Sequence, residues 1–437
     1  MTAQKKALKY DTSQPLLDVY MYGHHVGYLG EDLGDVWFRY DKHTLDVTDS
    51  ERWQVSVRLP VREEPYGPEE TRAFFDNLLA ESDVRGIIAR ATQHDLADLP
   101  GLLGQVGGEC AGAVSLWPHE TPPPPPAYRS LTIAEVEQLF SQVHGEPLTR
   151  AQLESRQSMS GAQDKLVFRR TPTGYDLPLA GSLSDVLIKR PSARYDGLVQ
   201  NEIACLLLTK AVGLSIAQPR AVRGQLALFE STRFDRVPPD LRRLHQEDFC
   251  QATGRLAVHK YQHNRGPTLG DIANVLTKFA ARPAVDIENL LRMTFVNVCI
   301  GNFDAHAKNF ALLYDDDGIK LAPFYDVVSS EVYDFLTPQY ALFVGSARGP
   351  GDLTYEALDK LARMVNWKTS LILQAAEQVA DQVAAQFSGV LTATAVEAGH
   401  AEVLDRLAKV IETRVRTLRR ATLPRINPSP RRAAELN

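Results

Sequence analysis

One stretch constrains this chain more than any other: Gly301 to Asp326, GNFDAHAKNFALLYDDDGIKLAPFYD. An apolar pattern at helical spacing, Ile287, Leu290, Leu291, Phe295, Val298 and Cys299, runs into it. Gly301 and Asn302 supply the stop signal of that helix. Asp304, His306, Lys308 and Asn309 then crowd one short loop, too polar for a core segment. Two β-like runs follow, Phe310 to Tyr314 and Ile319 to Ala322, split by Asp317-Gly318, a strong hairpin signal. With those two as turn residues, Asn309 is expected opposite Asp326 at the open end of the hairpin, beside Asp304.

This is the chemistry of a Mg²⁺-nucleotide site. Magnesium takes oxygen ligands, one or two from protein carboxylates and the rest from phosphates and water. A further carboxylate held off the metal can orient and deprotonate an attacking hydroxyl. The spacing Asp304-x-x-x-x-Asn309 is that of a protein-kinase catalytic loop, and Asp326 stands where a later metal-binding Asp would. The same Asp and Asn side chains could instead cap the turns of an ordinary hairpin.

Elsewhere the chain offers parts that fit the first reading. Ser160, Gly161 and Ala162, within SMSGAQDKLVFRR, precede a strand and could cradle phosphates through backbone N–H groups, or simply form a Ser/Gly turn. They are not a Walker A loop. Ser184 to Lys189 reads as an apolar strand ending in a lysine, and Glu202 lies on a helix beginning at Leu198. A strand Lys paired with a helix Glu is the kinase device for holding ATP phosphates, although a lysine at a strand end is commonly just solvated.

The organisation follows from composition shifts. At 437 residues the chain has room for two or three domains. Residues 1–121 read as a small separate α+β unit with no catalytic signature, suited to packing or partner contact. Five prolines, Pro122 to Pro126, form a stiff linker. Residues 127–246 form a mixed α/β lobe and 247–425 a helical lobe; 426–437 is a polar tail expected to be disordered. The expected fold is thus α+β, a two-lobed kinase-like architecture with an extra N-terminal subdomain and an all-helical C-terminal lobe. A net charge of −6 argues against nucleic-acid binding by bulk electrostatics. The scattered Cys110, Cys205, Cys250 and Cys299, with no membrane-length apolar run, suit a cytoplasmic protein.

With these residues in place, the chain resembles the HipA family, the serine/threonine kinase toxins of HipBA toxin–antitoxin modules, whose catalytic part is similar to phosphatidylinositol-kinase-like folds. The resemblance is carried by SMSGAQDK, LIKRP, NEIACLLLTKAVGL, RFDR, QEDFCQATG, DAHAKNF and PFYDV, in the family's order. It implies ATP and Mg²⁺ as cofactors, Asp304 as the catalytic Asp, and Asn309 and Asp326 as metal ligands. It also implies that Lys189, His306 and Lys308 meet the phosphates, and that Ser160 to Ala162 form the phosphate loop. The backbone from Thr232 to Phe234 would meet adenine, and Ser158 would match the autophosphorylated serine. The family often has Glu directly before Arg-Phe-Asp-Arg, where this chain has Thr232 with Glu230 two positions earlier. The segment after Lys189 is also short.

The implied partners are a HipB-like helix-turn-helix antitoxin, operator DNA reached mainly through that complex, and a protein substrate. An aminoacyl-tRNA synthetase, in particular the glutamyl enzyme, is the substrate that the resemblance implies. No membrane partner is expected. Two other readings stand beside this one: an inactive kinase-fold corepressor, and a small-molecule or lipid kinase.

Overall fold

The computed structural model describes residues 10–47, 53–141, 145–159, 163–192 and 194–424. The expected phosphate loop, Ser160 to Ala162, and the C-terminal tail lie outside the described residues. Among the described residues no helix is long and apolar enough to cross a membrane.

The chain opens with an antiparallel meander, β1 (Pro15–Met21), β2 (His24–Asp32) and β3 (Asp35–Tyr40), followed by α1 (Lys42–Asp46). Leu17, Val19 and Met21 alternate inward along β1, the period-2 pattern of a half-buried strand. Helices α2 (Pro68–Phe75), α3 (Ser82–Thr92) and α4 (Leu99–Val106) cover that face, and Phe74, Phe75, Leu102 and Leu103 close the core. Two returning strands follow, β4 (Glu109–Cys110) and β5 (Val114–Pro118); β5 joins the sheet in the order β3-β2-β1-β5.

Beyond the prolines, β6 (Ala127–Leu131) forms one edge of a six-stranded antiparallel sheet. Helix α5 (Ile133–Leu139) starts at the expected Thr132–Glu135 capping box. After α6 (Glu146–Ser155) come β7 (Gln157–Ser158), β8 (Lys165–Arg170), β9 (Tyr175–Leu179), β10 (Val186–Lys189), α7 (Leu198–Ala211), β11 (Pro219–Val222) and β12 (Leu228–Thr232). The sheet order is β11-β12-β10-β8-β9-β6, which puts the strand of Lys189 near its centre. A short ribbon, β13 (Arg236–Val237) with β14 (Arg242–Arg243), leads into the second lobe.

The second lobe is less purely helical than expected. Strands β15 (His245–Asp248), β16 (Ala311–Asp315) and β17 (Gly318–Leu321) form an antiparallel sheet under α8 (Phe249–Thr253), α9 (Leu269–Phe279) and α10 (Pro283–Ile300). Helices α11 (Tyr355–Met364), α12 (Thr369–Ala398) and α13 (Glu402–Ala421) complete it. Apolar side chains of α7, α10, α12 and α13 share one continuous core, so the Glu202 helix is packed into the second lobe rather than only onto its own sheet.

The N-terminal unit is not a separate body on a proline tether. Strands β4 and β7 pair in parallel, Glu109 with Gln157 and Cys110 with Ser158. Glu109 is fully buried, and its Oε1 accepts from Arg233 Nη1 at 2.8 Å and Arg236 Nη2 at 3.1 Å, while Arg243 Nη2 lies 2.7 Å from Oε2. Asp235 Oδ2 accepts from the Gly112 amide at 2.7 Å. Farther along, Glu247 accepts from Ser56 Oγ at 2.6 Å and from the Val57 amide at 2.9 Å. The Arg-Phe-Asp-Arg charges therefore form a buried ion network binding the N-terminal unit to both lobes. Buried charges persist only when paired, and each of these faces an opposite charge.

Candidate active site

Helix α10 ends at Gly301 in the left-handed region, φ 64°, where an added Cβ would meet Glu331 at 2.4 Å. The chain then turns sharply. The Asp304 amide donates to Asn302 Oδ1 (3.0 Å) and the Phe303 amide to Ser330 Oγ (2.8 Å). The Asp304 carbonyl accepts from the His306 amide (2.7 Å) and from Asn309 Nδ2 (3.1 Å). With its Nδ2 so engaged, Asn309 keeps its Oδ1 as an acceptor for a cation.

The hairpin register differs from expectation. Asp315 pairs with Gly318 and Leu312 with Leu321, so Asp316 and Asp317 are the turn residues. Asp315 Oδ1 accepts from the Asp317 amide at 3.0 Å, and Gly318 uses its positive φ of 108° just after the turn rather than inside it. Asn309 and Asp326 are consequently not cross-strand partners. They are still brought together, lining one small cavity with Asn302 and Asn297 beyond the strand ends.

Asp326 is itself in the left-handed conformation, φ 55°. A non-glycine residue held there incurs strain, and such residues gather at functional sites. Its Oδ1 lies 2.6 Å from Lys189 Nζ, and Glu202 Oε1 lies 2.7 Å from the same nitrogen. Helix α7 sets both ends of this triad: Glu202 reaches Lys189, while neighbouring Asn201 donates to the Ser329 carbonyl (2.8 Å) and accepts from the Ser329 amide (3.0 Å). Burial favours the neutral amine at Lys189, but the adjacent Asp326 and Glu202 outweigh it and raise its pKa. Burial pushes Glu202 up to about 7 despite the ammonium beside it. Burial also opposes ionisation of Asp326, yet Lys189 and Lys165 hold its carboxyl well below the usual range.

Lys165 was not singled out by sequence. It faces Lys189 across the β8–β10 ladder, and burial next to that second ammonium lowers it to about 8. Like charges directly opposite on neighbouring strands are unfavourable unless anions face them. Asp326, Glu81 and Glu202 supply that charge. Among the described residues no group of three or more His, Cys, Asp or Glu side chains could hold a metal alone. Asn309 and Asp326 fit a Mg²⁺ that draws its other ligands from phosphates.

Asp304 opens to solvent on its cleft side. Crowding by protein raises its carboxyl above the ordinary value, opposed by a 2.7 Å hydrogen bond that Tyr261 Oη donates to Oδ1. Tyr261 too escaped the sequence reading, since nothing in the pattern links positions 43 apart. His306 is buried, its ring 5.2 Å from Tyr261 edge-on, and burial pushes it down to about 3. It is thus neutral, with Nδ1 unpartnered among the described residues.

Two expected site residues, Lys308 and Ser158, make their contacts elsewhere. Lys308 does not point to a phosphate: its buried ammonium donates to Asp248 Oδ2 and Asn77 Oδ1, both at 2.7 Å. Between these two in the chain, in the segment expected to meet adenine, the Thr232 amide donates to the Gln218 carbonyl at 3.0 Å and the Arg233 amide to the Asp185 carbonyl at 2.8 Å, so two of its three amides are engaged within the protein. Phe234 rests against Tyr325, ring centroids 5.6 Å apart, and Glu230 is buried on Tyr175 and Arg170. Ser158 is buried in β7 with its Oγ donating to the Leu78 carbonyl at 2.8 Å, so it is not presented to any other molecule in this conformation.

Residues 157–390 match the HipA-like C-terminal domain family and residues 17–117 the HipA N-terminal domain family. Y4mE of Sinorhizobium fredii, which carries a kinase name, is 33% identical over 390 residues, spanning 87% of this chain and 92% of its own length. The serine/threonine-protein kinase toxin HipA of Shewanella oneidensis is 28% identical over 296 residues, covering 64% of this chain and 68% of that protein. The solved complex of Shewanella oneidensis HipA, HipB and operator DNA aligns with a TM-score of 0.76 and 20% identity, over 93% of this chain and 96% of that one. By sequence over most of its length and by its kinase-like fold, the chain belongs to the HipA family.

Proposed function

We propose that this chain is an ATP-dependent serine/threonine protein kinase acting as the toxin of a toxin–antitoxin pair. The observation that carries the reading is the triad in which Lys189 bridges Glu202 and Asp326, with Asp304 and Asn309 on the adjoining loop. Phosphoryl transfer requires positioning and charge neutralisation more than covalent assistance. Lys189 and Lys165 hold the polyphosphate, and Asp304 accepts the proton of the attacking hydroxyl. When bound through Asn309 and Asp326, Mg²⁺ supplies further neutralisation of phosphate charge.

The substrate is a Ser or Thr of a translation-related protein, an aminoacyl-tRNA synthetase and in particular the glutamyl enzyme. A HipB-like helix-turn-helix protein is the antitoxin, and operator DNA is met through that complex; the likeness to the Shewanella complex of HipA, HipB and operator DNA supports this. The chain also modifies itself at Ser158, which requires β7 to leave β4 and Leu78 first. Incubating the purified chain with labelled ATP and Mg²⁺, alone and with candidate synthetases, lipids and small-molecule acceptors, tests this. Transfer to a synthetase hydroxyl and to Ser158 is expected; label confined to lipids or small molecules, or none, overturns it.

A further inference from the structure

One short segment of the N-terminal unit touches three catalytic segments at once. Asn77 receives Lys308 of the catalytic loop through its carbonyl at 3.2 Å and its Oδ1 at 2.7 Å. The Leu78 carbonyl receives Ser158 Oγ, at the entrance to the expected phosphate loop. Glu81 Oε2 receives Lys260 Nζ at 2.6 Å. Leu78, Leu79 and Ala80 are buried in the N-terminal core, so the segment is anchored rather than draped.

The third contact continues to the candidate base. Lys260 precedes Tyr261, whose hydroxyl holds Asp304 Oδ1 at 2.7 Å. The Lys260 carbonyl accepts from the Ala307 amide at 3.2 Å, and the Tyr261 carbonyl accepts from the Asn264 and Gly266 amides, at 2.9 and 3.0 Å. The Lys260 backbone and the Tyr261 side chain are therefore both tied to the catalytic loop, and the 264–266 turn holds the Tyr261 backbone. Among the described residues Asp304 Oδ2 takes no hydrogen bond, which leaves it for an incoming hydroxyl. Glu81 is mostly buried, with Oε1 unpartnered among the described residues, so its charge rests on Lys260. That lysine offsets the burial cost and keeps its carboxyl below the usual range.

We propose that Glu81, Lys260 and Tyr261 are positioning residues through which the N-terminal unit sets the orientation of Asp304. Glu81 fixes Lys260, Lys260 fixes Tyr261, and the Tyr261 hydroxyl pins one carboxylate oxygen so that the other faces the substrate. On this view the N-terminal unit is part of the catalytic apparatus, and a change confined to the Glu81–Lys260 contact changes the rate without touching the nucleotide site. The inference rests on the kinase reading above.

The test uses the full chain, labelled ATP with Mg²⁺, and self-labelling as the rate, with ATP affinity measured separately by calorimetry. Glu81→Gln and Tyr261→Phe should each lower the maximal rate about tenfold while leaving ATP affinity within about twofold, since misplaced reacting groups cost rate rather than uniform binding. The double variant should be no slower than the slower single, because both act on one contact. The exchange Glu81→Lys with Lys260→Glu should recover most of the rate. Losses that multiply in the double variant, or unchanged rates, overturn the relay while leaving the kinase reading intact. If Glu81→Gln does not bind ATP, Tyr261→Phe decides: it removes one hydroxyl only, and a wild-type rate there overturns the relay. An unmodified chain that binds ATP but transfers nothing overturns both.

Discussion

Lys189 Nζ sits between two carboxylates, 2.6 Å from Asp326 Oδ1 and 2.7 Å from Glu202 Oε1. The two are not equivalent: Glu202 is buried, whereas the Asp326 side chain is 44% exposed. The exposed carboxylate can exchange its ammonium for a cation, while the buried one keeps the lysine in place. Lys189→Met should therefore abolish ATP binding and leave the buried Glu202 without its cation, so that it takes up a proton and the fold loses stability. Adding Glu202→Gln should recover much of the melting temperature and none of the ATP binding. Thermal unfolding and calorimetry on both variants check this; equal melting temperatures for the single and double variants would refute it.

Asp304→Asn and Asp326→Asn preserve shape and remove charge. Each should reduce phosphotransfer by at least about 10²-fold, the usual scale for losing a general base or an electrostatic stabiliser. They should differ in the nucleotide step: Asp304→Asn should keep its Mg²⁺-dependent ATP affinity, and Asp326→Asn should lose it. Near-wild-type turnover in both would remove the site assignment.

How much of this was legible depends on how local the cause is. The catalytic loop could be read because Asp304, His306 and Asn309 are too polar to sit in a row without a task, and Gly301 announced the turn that presents them. The hairpin was legible and its register was not, since Gly318 spends its positive φ after the turn, which Asp315 closes instead. Glu202 was found because a strand and the following helix are near neighbours in sequence. Glu109 was invisible for the opposite reason: its partners Arg233 and Arg236 lie 124 and 127 residues away. The five prolines then misled, because a stiff linker says nothing about whether the units it joins pack together.

That packing predicts the fate of a fragment. A chain beginning at Ala127 keeps Arg233, Arg236 and Arg243 but loses Glu109, the carboxylate all three share. It also loses Asn77, leaving the Lys308 ammonium with Asp248 alone. The fragment should be unable to fold cooperatively or bind ATP. In the full chain Glu109→Gln should already cost about 3–5 kcal/mol, the range for breaking a buried ion pair from one side. Denaturant unfolding of the variant and near-ultraviolet circular dichroism of the fragment check both; a cooperatively folding, ATP-binding fragment would contradict the network's role.

Acid should loosen the same junction through His245. This ring is fully buried on β15, donating from Nε2 to the Val55 carbonyl at 3.0 Å and accepting the Ala113 amide at Nδ1 at 3.5 Å. It therefore holds two segments of the N-terminal unit as a neutral tautomer, and protonating Nδ1 breaks one of those bonds. Burial lowers its folded-state pKa to about 4, against about 6.5 in the unfolded chain. The unfolded state thus takes up the proton first. The contribution of His245 is complete above about pH 6.5 and is lost as pH falls through about 4, amounting to on the order of 3 kcal/mol. Glu247, two residues along, has the opposite sign: burial raises it to about 7, so the folded chain protonates it first and gains from acid over much of the same window. Whole-protein acid titration would blur the two. Comparing wild type with His245→Gln by denaturant unfolding between about pH 7.5 and about pH 4.5, which spans the window, cancels Glu247, because both chains carry it. The wild type should lose stability relative to the variant as pH falls, and parallel curves would show that His245 is already protonated in the folded chain or is not buried there.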